Sequence, residues 1–117
     1  PIFSIPDSTY ANTLYLGGSW NFASESASAD TGATVEYTYN AKDFYFVASG
    51  APAGTKVEVM QDGKPLGNVA GSDVEDGVVT IGQSRLYHLV ANPEGGVHTL
   101  TLKVLSPGLV AYTFTFG

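Results

Sequence analysis

The chain has 117 residues, a length typical of one domain that buries enough apolar surface to fold without crosslinks. Its 11 acidic and 5 basic residues give a net charge of −6, which argues against nucleic acid or anionic lipid as a partner. Cysteine is absent, which excludes disulfides, thiolate catalysis and cysteine-ligated zinc, and no apolar run reaches the length of a membrane span.

Residues 1–12 contain two prolines and little pattern, so we expect them to be a lead-in from a preceding domain. Because the chain starts with Pro1 and not with methionine, we expect it to be a fragment or a processed product. The runs "TLYLGGSWNF", "ATVEYTYN" and "DFYFVAS" then show the two-residue alternation of strands, the first with a bend at its glycine pair. We predict that the alternating rings of these runs face the core: Trp20, Phe22, Tyr37, Tyr39, Phe44 and Phe46.

The stretch "TKVEVMQDGKPLG" predicts a hairpin. Asp62-Gly63 suits a two-residue turn with positive φ, and Pro65 restricts the returning strand to a short or edge strand. An acidic loop, "GSDVEDG", follows, and then the strand-like runs "VVTIG", "SRLYHLVA" and "VHTLTLKVL". About eight or nine short strands predict an all-β fold, a jelly-roll-type antiparallel β-sandwich, as one domain over residues 1–117.

The last run, "SPGLVAYTFTFG", alternates rings with threonines. Its rings could form a platform for a ligand or the core face of the final strand. An outward platform would leave threonines to fill the interior, so the core interpretation fits the alternation better. We predict that Val110, Tyr112, Phe114 and Phe116 share the inner face.

The sequence offers few catalytic groups, and we predict that this domain is not an enzyme. His88 and His98 lie inside strand patterns without a nucleophile elbow. The acidic residues are spread over turns and outward strand positions, where solvated charge is their ordinary explanation.

The acidic loop contains the candidates for a metal site, Asp73, Glu75 and Asp76. Hard cations such as calcium bind clusters of carboxylate oxygens, but the spacing matches no EF-hand loop. A solvated turn is the favoured interpretation, and we predict no cofactor, with calcium as the one ion worth testing.

Four residues are candidates for ligand binding: Tyr15, Tyr45, Arg85 and Tyr87. The tyrosines remain outside the predicted core, as does Tyr10, and exposed rings can stack on sugars. Arg85 either pairs with a carboxylate such as Asp73 or Asp76, which is the favoured interpretation, or offers its planar donors to a sugar or carboxylate ligand.

Tyr45 and Tyr87 are predicted to face outward, opposite their strands' core positions. Val47 and Leu89 share these faces, and an apolar second face is typical of a surface that docks on another domain.

Several stretches resemble the C-terminal domain of DipZ-type proteins, bacterial thiol:disulfide interchange proteins: "LYLGGSW", "YNAKDFYFVA", "VEVMQDGKPL", "GSDV", "SRLYHLV" and "AYTFTFG". The resemblance covers residues 13–117, and its most specific parts are Arg85-Leu86-Tyr87 and the ending Phe114-Thr115-Phe116-Gly117. It implies a jelly roll like that of carbohydrate-binding modules, placed after a thioredoxin-like domain in the periplasm or cell envelope.

In such a protein the redox chemistry would belong to cysteines of the upstream domain. The resemblance therefore implies a non-catalytic accessory module, with carbohydrate as the first candidate ligand. The alternative is a structural module that docks on the adjacent thioredoxin-like domain or on its redox clients. Neither function involves nucleic acid or insertion into a membrane.

Overall fold

The computed structural model describes residues 2–5, 14–23 and 26–117. These residues form short strands and one 3-10 turn, and no helix among them is long and apolar enough to cross a membrane. The strands are β1 (Ile2–Phe3), β2 (Leu14–Phe22), β3 (Ala27–Ala29), β4 (Thr34–Asn40), β5 (Asp43–Ser49), β6 (Thr55–Gln61), β7 (Lys64–Pro65), β8 (Val74–Glu75), β9 (Val78–Ile81), β10 (Arg85–Ala91), β11 (Val97–Val104) and β12 (Leu109–Phe116). The turn lies at Gly67–Val69.

The strands form an all-β antiparallel sandwich, which confirms the predicted fold class. The first sheet runs β2-β4-β11-β6-β9-β8, and the second sheet runs β2-β3-β12-β5-β10. Strand β2 belongs to both, because Leu14–Gly17 pair with β4 and Trp20–Phe22 pair with β3. Gly18 lies at the crossing with φ 82°, and a Cβ there would come within 2.7 Å of the Ala33 Cα. Glycine is therefore required where the strand bends from one sheet into the other.

The core lies between the sheets and contains most of the predicted rings. Trp20, Tyr39, Phe44 and Phe46 are buried, and Tyr37 is half-buried, as the alternation predicted. Phe22 does not follow the prediction. It lies at the end of β2, 57% exposed, with its ring edge-on to Phe3.

The final strand departs from simple alternation at a β-bulge. Ala111 pairs with Ala48 and Thr113 pairs with Val47, so Tyr112 is an extra residue without a partner on β5. Because the extra residue shifts the alternation by one position, it moves the inner face from odd-numbered to even-numbered residues.

The predicted inner face of β12 is therefore half correct. Phe114 and Phe116 pair with Phe46 and Phe44 and face the core side, as predicted. The prediction is wrong for Val110 and Tyr112. Leu109 and Ala111 take the inner positions before the bulge, and Tyr112 is 43% exposed.

Both Asp-Gly pairs in the chain form tight hairpin turns. Asp62 and Gly63 have φ of 55° and 73° between β6 and β7, which confirms the predicted turn and the short strand containing Pro65. Asp76 and Gly77 have φ of 51° and 76° between β8 and β9. The stretch predicted as an acidic loop is thus partly a second hairpin.

A closed ring of hydrogen bonds lies in the interior. The Tyr39 hydroxyl donates to Gln61 Oε1, the Gln61 amide donates to Asn92 Oδ1 at 2.7 Å, and the Asn92 amide donates to the Tyr39 hydroxyl at 2.9 Å. Burial raises the pKa of the Tyr39 hydroxyl. The ring ties β4, β6 and the end of β10 together with each buried polar group satisfied.

The predicted lead-in is only partly described. Ile2 and Phe3 pair with Ser19 and Gly18 of β2. Residue 1 and residues 6–12, including Tyr10, lie outside the described part of the chain.

Candidate functional site

A stacked pair of rings lies on the outer face of the second sheet. Tyr45 of β5 stands opposite His88 of β10, and their ring centroids are 4.7 Å apart at an interplanar angle of 25°. Both residues are half-buried, so part of the pair faces solvent. The alternation of β5 causes this, because Phe44 and Phe46 on either side of Tyr45 point into the core.

Hydrogen bonds on both nitrogens fix the His88 ring. Nε2 is 2.9 Å from Asp43 Oδ1, while Nδ1 is 3.3 Å from the Ser72 hydroxyl and 3.4 Å from the Ser72 backbone nitrogen. Since a backbone N–H can only donate, Nδ1 is the acceptor and Nε2 carries the proton that points at Asp43.

His88 therefore links Ser72 to Asp43 in the order of a hydrolase triad. The Nδ1 lone pair is shared with the backbone N–H of Ser72 itself, so the imidazole is not a free base for the hydroxyl. The arrangement therefore presents no free general base beside the Ser72 hydroxyl.

A loop formed by Ala70–Asp73, here called the covering loop, lies along the edge of β10. The Gly71 N–H donates to Leu89 O at 2.9 Å, the Asp73 N–H donates to His88 O at 3.3 Å, and the His88 N–H donates to Asp73 Oδ2 at 2.8 Å. A Cβ on Gly71 would overlap the His88 carbonyl, so only glycine allows this close approach.

The ion pair predicted for Arg85 is present, with Asp73 as its partner. Arg85 Nη2 lies 2.8 Å from Asp73 Oδ1, and Nη1 donates to Leu86 O at 2.8 Å. The guanidinium also lies 3.9 Å above the centroid of the Tyr87 ring. The hydrogen bond from Arg85 lowers the pKa of Asp73.

The prediction that Tyr87 faces outward is wrong. Its ring is 2% exposed, and the residue pairs with Phe46 on the inner face. Its hydroxyl donates to Gln83 O at 2.8 Å and accepts the Gly82 N–H at 2.9 Å. The ring therefore supports Arg85 from below and offers no surface to a ligand.

Leu89 is also interior, so the predicted apolar second face is smaller than expected. A register shift between His88 and Val90 turns both Leu89 and Val90 inward, and each is fully buried. On the outer face, half-buried Val47 lies opposite Leu86, which is 45% exposed.

Tyr15 does not join the other candidates. It is half-buried on β2 opposite Glu36, in the part of that strand that belongs to the first sheet. The structure thus brings Tyr45 and Arg85 to one region of the second sheet and leaves Tyr15 on the other sheet.

The acidic residues of the predicted metal site are dispersed. Asp73 is engaged by Arg85 and by the His88 N–H, Glu75 ends β8, and Asp76 lies in the hairpin turn. Over residues 2–5, 14–23 and 26–117, no three acidic or histidine side chains come together in a group that could hold a metal ion.

Sequence reasoning missed Asp43, Ser72 and His88 as members of one surface. His88 lies next to Tyr87 and on the same side of its strand as Leu86, so its outward direction could have been inferred from strand alternation. The contact with Tyr45 depends on the register between β5 and β10, and the contact with Ser72 depends on the covering loop.

A second surface feature is an apolar cleft of about 430 Å³ between the two sheets, on the side where β2 and β12 pass each other. Its mouth carries four exposed apolar side chains, Leu14, Phe22, Tyr112 and Phe116. Farther in, the cleft is lined by Leu16, Trp20, Val35, Tyr37 and Phe114.

The chain belongs to the family of thioredoxin-like C-terminal domains, whose model matches residues 2–117. No match was found among curated proteins.

Solved structures with this fold include two family two carbohydrate esterases. One, from Clostridium thermocellum in complex with cellohexaose, has a TM-score of 0.70 and 20% identity over 90% of this chain. The other, from Cellvibrio japonicus, has a TM-score of 0.69 and 12% identity over 88% of this chain. The chain spans 31% and 30% of the length of those proteins, and at these identities the likeness establishes the fold alone.

Proposed function

We propose that this domain is a non-catalytic accessory module that binds carbohydrate on the outer face of its second sheet. The observation that carries the proposal is the solvent-facing stack of Tyr45 on His88, with the Asp43 carboxylate and the Ser72 hydroxyl at its border. The family and the fold of its structural neighbours support an accessory role.

The chemistry of this surface suits a sugar. The apolar face of a pyranose can pack on the Tyr45 ring, while sugar hydroxyls donate to Asp43, whose side chain is 35% exposed. Thr115 stands next to Tyr45 on the neighbouring strand and is exposed, which adds a hydroxyl to the same surface. Because Tyr45, His88 and Thr115 lie side by side on three neighbouring strands, the surface suits an oligosaccharide lying across the strands.

Arg85 lies at the margin of this surface, and its pairing with Asp73 assigns it a supporting role. By holding Asp73, it fixes the covering loop and with it the Ser72 hydroxyl beside His88. Tyr15 and Tyr87 are not part of the proposed sugar surface.

A proposal for the complete protein has two supports: the family description for a thioredoxin-like neighbour, and the sequence resemblance alone for the DipZ type and the location. We propose that the domain follows a thioredoxin-like domain in an extracytoplasmic protein of the DipZ type. It would hold the redox domain close to a glycan of the cell envelope.

The test is an NMR titration of the labelled domain with cello-oligosaccharides, chito-oligosaccharides and peptidoglycan fragments. We expect saturable shifts at the amides of Asp43, Tyr45 and His88, and loss of binding in Tyr45→Ala. Tyr112→Ala is the control, because it removes a tyrosine ring that lies outside the proposed sugar surface. An unresponsive spectrum with the whole panel, or equal losses in both variants, would contradict the proposal.

A second candidate function is docking on the adjacent thioredoxin-like domain. The observation that favours it is the pair Val47 and Leu86, which places apolar surface beside Tyr45 on the same face. Titration with the thioredoxin-like domain should then shift Val47 and Leu86 amides, and Leu86→Ser should weaken the complex. Unchanged spectra on mixing would count against this function.

A further inference from the structure

The second sheet is incompletely paired along β12. Strand β3 pairs with Leu109–Ala111 only, whereas β5 pairs with β12 along its whole length. In the described part of the chain, no strand pairs with Tyr112–Phe116 on the side away from β5. We call the segment Tyr112–Phe116 the open edge.

The hydrogen-bond pattern shows which groups point away from β5. The Gly117 N–H donates to Asp43 O at 3.2 Å, and the Asp43 N–H donates to Gly117 O at 3.0 Å, so these two residues form a bonded pair. Bonded and non-bonded pairs alternate along antiparallel strands, which makes Thr115 and Thr113 the next bonded residues. The backbone N–H and C=O groups of Phe114 and Phe116 therefore face away from β5.

These four backbone groups have few competitors. Within the described residues, the only hydrogen bond on this side comes from the Thr113 hydroxyl, which donates to Phe114 O at 3.3 Å. Thr113 is exposed, so its hydroxyl can leave the Phe114 carbonyl and form a hydrogen bond with water. An incoming N–H can then take the Phe114 carbonyl without a net loss of hydrogen bonds.

The apolar cleft lies directly under this edge. The side chains of Phe114 and Phe116 line it from the second sheet, and Leu14, Leu16 and Tyr37 line it from the first sheet. A strand added beside Phe114 and Phe116 would thus place every second side chain into the cleft.

We propose that the open edge and the apolar cleft bind an extended peptide by β-strand addition. The ligand would be a short segment with apolar side chains at alternate positions, neutral or basic because the domain carries a net charge of −6. Paired donors and acceptors repeating every second residue are a property of a peptide main chain, and neither a sugar nor a lipid chain repeats this pattern.

Among residues 2–5, 14–23 and 26–117, nothing occupies the open edge, which leaves room for a short strand. Ala27 of β3 closes the upper end of the edge by pairing with Ala111, and the first sheet forms the wall of the cleft. This leaves the five residues Tyr112–Phe116 for pairing. The alternative is that two copies of the domain pair through their open edges, and the test below distinguishes such a dimer from peptide binding.

The experiment uses the labelled 117-residue chain and a panel of synthetic hexapeptides in which threonine or lysine alternates with valine, leucine or phenylalanine. We expect at least one peptide to give saturable shifts and slowed amide exchange at Phe114 and Phe116. The control is the same peptide N-methylated at alternate residues that face the edge, which keeps the side chains but removes the donors. Its affinity should fall about tenfold or more.

A pair of protein variants tests the same point from the other side. Phe116→Pro and Phe116→Ala both remove the ring, but only proline also removes the outward N–H, which is not needed for pairing with β5. Both variants should stay folded, and peptide affinity should be severalfold lower in Phe116→Pro than in Phe116→Ala.

Three results would overturn the proposal. The first is that no peptide of the panel protects Phe114 or Phe116. The second is that these amides exchange slowly in the free monomer, because the edge would then already be paired. The third is a concentration-dependent dimer that protects the same amides without peptide, which would assign the edge to a second copy of the chain.

Discussion

The two edges of the second sheet differ in whether other residues hydrogen-bond to them. At one side, β10 is covered by Ala70–Asp73, which bond to it through backbone and side-chain groups. At the other side, the open edge of β12 has no partner strand in the described residues.

The His88 and Phe116 amides show the contrast most directly. The His88 N–H points away from β5 and finds Asp73 Oδ2 at 2.8 Å. The Phe116 N–H also points away from β5 but has no described partner, and its side chain lies at the mouth of the apolar cleft. Proteins ordinarily cover or charge their strand edges, because a bare edge pairs with other chains. Within the described residues, Ala70–Asp73 cover one edge and aromatic side chains lie at the other, and this contrast is what the proposal of peptide binding at the open edge requires.

Amide exchange should give the largest difference between the two sides. We expect the Phe116 N–H to exchange at least about 100-fold faster than the His88 N–H, after correction for intrinsic rates, because it lacks a described partner. The measurement is native-state hydrogen exchange by NMR. Equal protection of the two amides would remove the contrast on which the comparison rests.

The packing of the covering loop against β10 should be disrupted when Gly71 gains a side chain. In Gly71→Ala the new Cβ overlaps the His88 carbonyl, so we expect the free energy of unfolding to fall by about 2–4 kcal/mol. Gly82→Ala is the matched control, since no atom lies within 4 Å of its added Cβ, and its change should stay within about 0.5 kcal/mol. Urea unfolding measures both, and similar stability of the two variants would show that the covering loop is loosely packed.

The hydrogen-bonded ring of Tyr39, Gln61 and Asn92 should contribute somewhat less to the free energy of unfolding. Tyr39→Phe leaves Gln61 Oε1 and the Asn92 amide without one of their partners in a buried site, at a cost of about 1–3 kcal/mol. Tyr112→Phe removes an exposed hydroxyl whose contact with Ser49 is 3.5 Å long, and it should be nearly neutral. Chemical denaturation distinguishes them, and a neutral Tyr39→Phe would show that the ring is not needed for stability.

Acid should weaken the covered side by a smaller amount. Asp73 has its pKa lowered in the folded state by the hydrogen bond from Arg85. Its stabilisation is therefore present above its unfolded pKa of about 3.9 and is lost as the pH falls through the folded value. We expect Asp73→Asn to cost about 1 kcal/mol at pH 7 and to match the parent at the acid end. An Asp73→Asn penalty that is independent of pH would contradict this assignment.

The smallest effect is expected at His98, away from both edges. The hydrogen bond from its ring to Asp62, at 2.7 Å, raises the pKa of His98 in the folded state. Its stabilisation is fully present below about pH 6.5 and is lost as the pH rises through the folded pKa. An NMR titration should show the pKa of His98 falling toward the free value in Asp62→Asn. A His98 pKa unaffected by Asp62→Asn would refute the role of the pair.

Local chemistry was predictable from the sequence, and non-local register was not. Asp62-Gly63 was recognised because strand-like residues flank it, whereas Asp76-Gly77 has the same turn chemistry but was hidden among acidic residues. The sequence of β12 alternates regularly, but the bulge at Tyr112 changes which residues face the core. Nothing in the sequence around residue 112 signals that extra residue, because its position is set by pairing with β5.

The candidate site shows the same limit. The pairing of Arg85 with a nearby carboxylate could be inferred from charge and proximity, and Asp73 proved to be the partner. The stack of Tyr45 on His88 joins residues far apart in the chain, so it requires the register of β5 against β10. The burial of Tyr87 and Leu89 follows from a second bulge at the middle of β10, which alternation cannot locate.

The position of β12 between β3 and β5 has a consequence for biosynthesis. Val110 pairs with Ser28 on one side and Ser49 on the other, so the second sheet stays split until residues near the end of this chain have left the ribosome. Until then the Phe44 and Phe46 rings lack their final cover from Phe114 and Phe116. We therefore expect the nascent domain to complete its second sheet late and in one step.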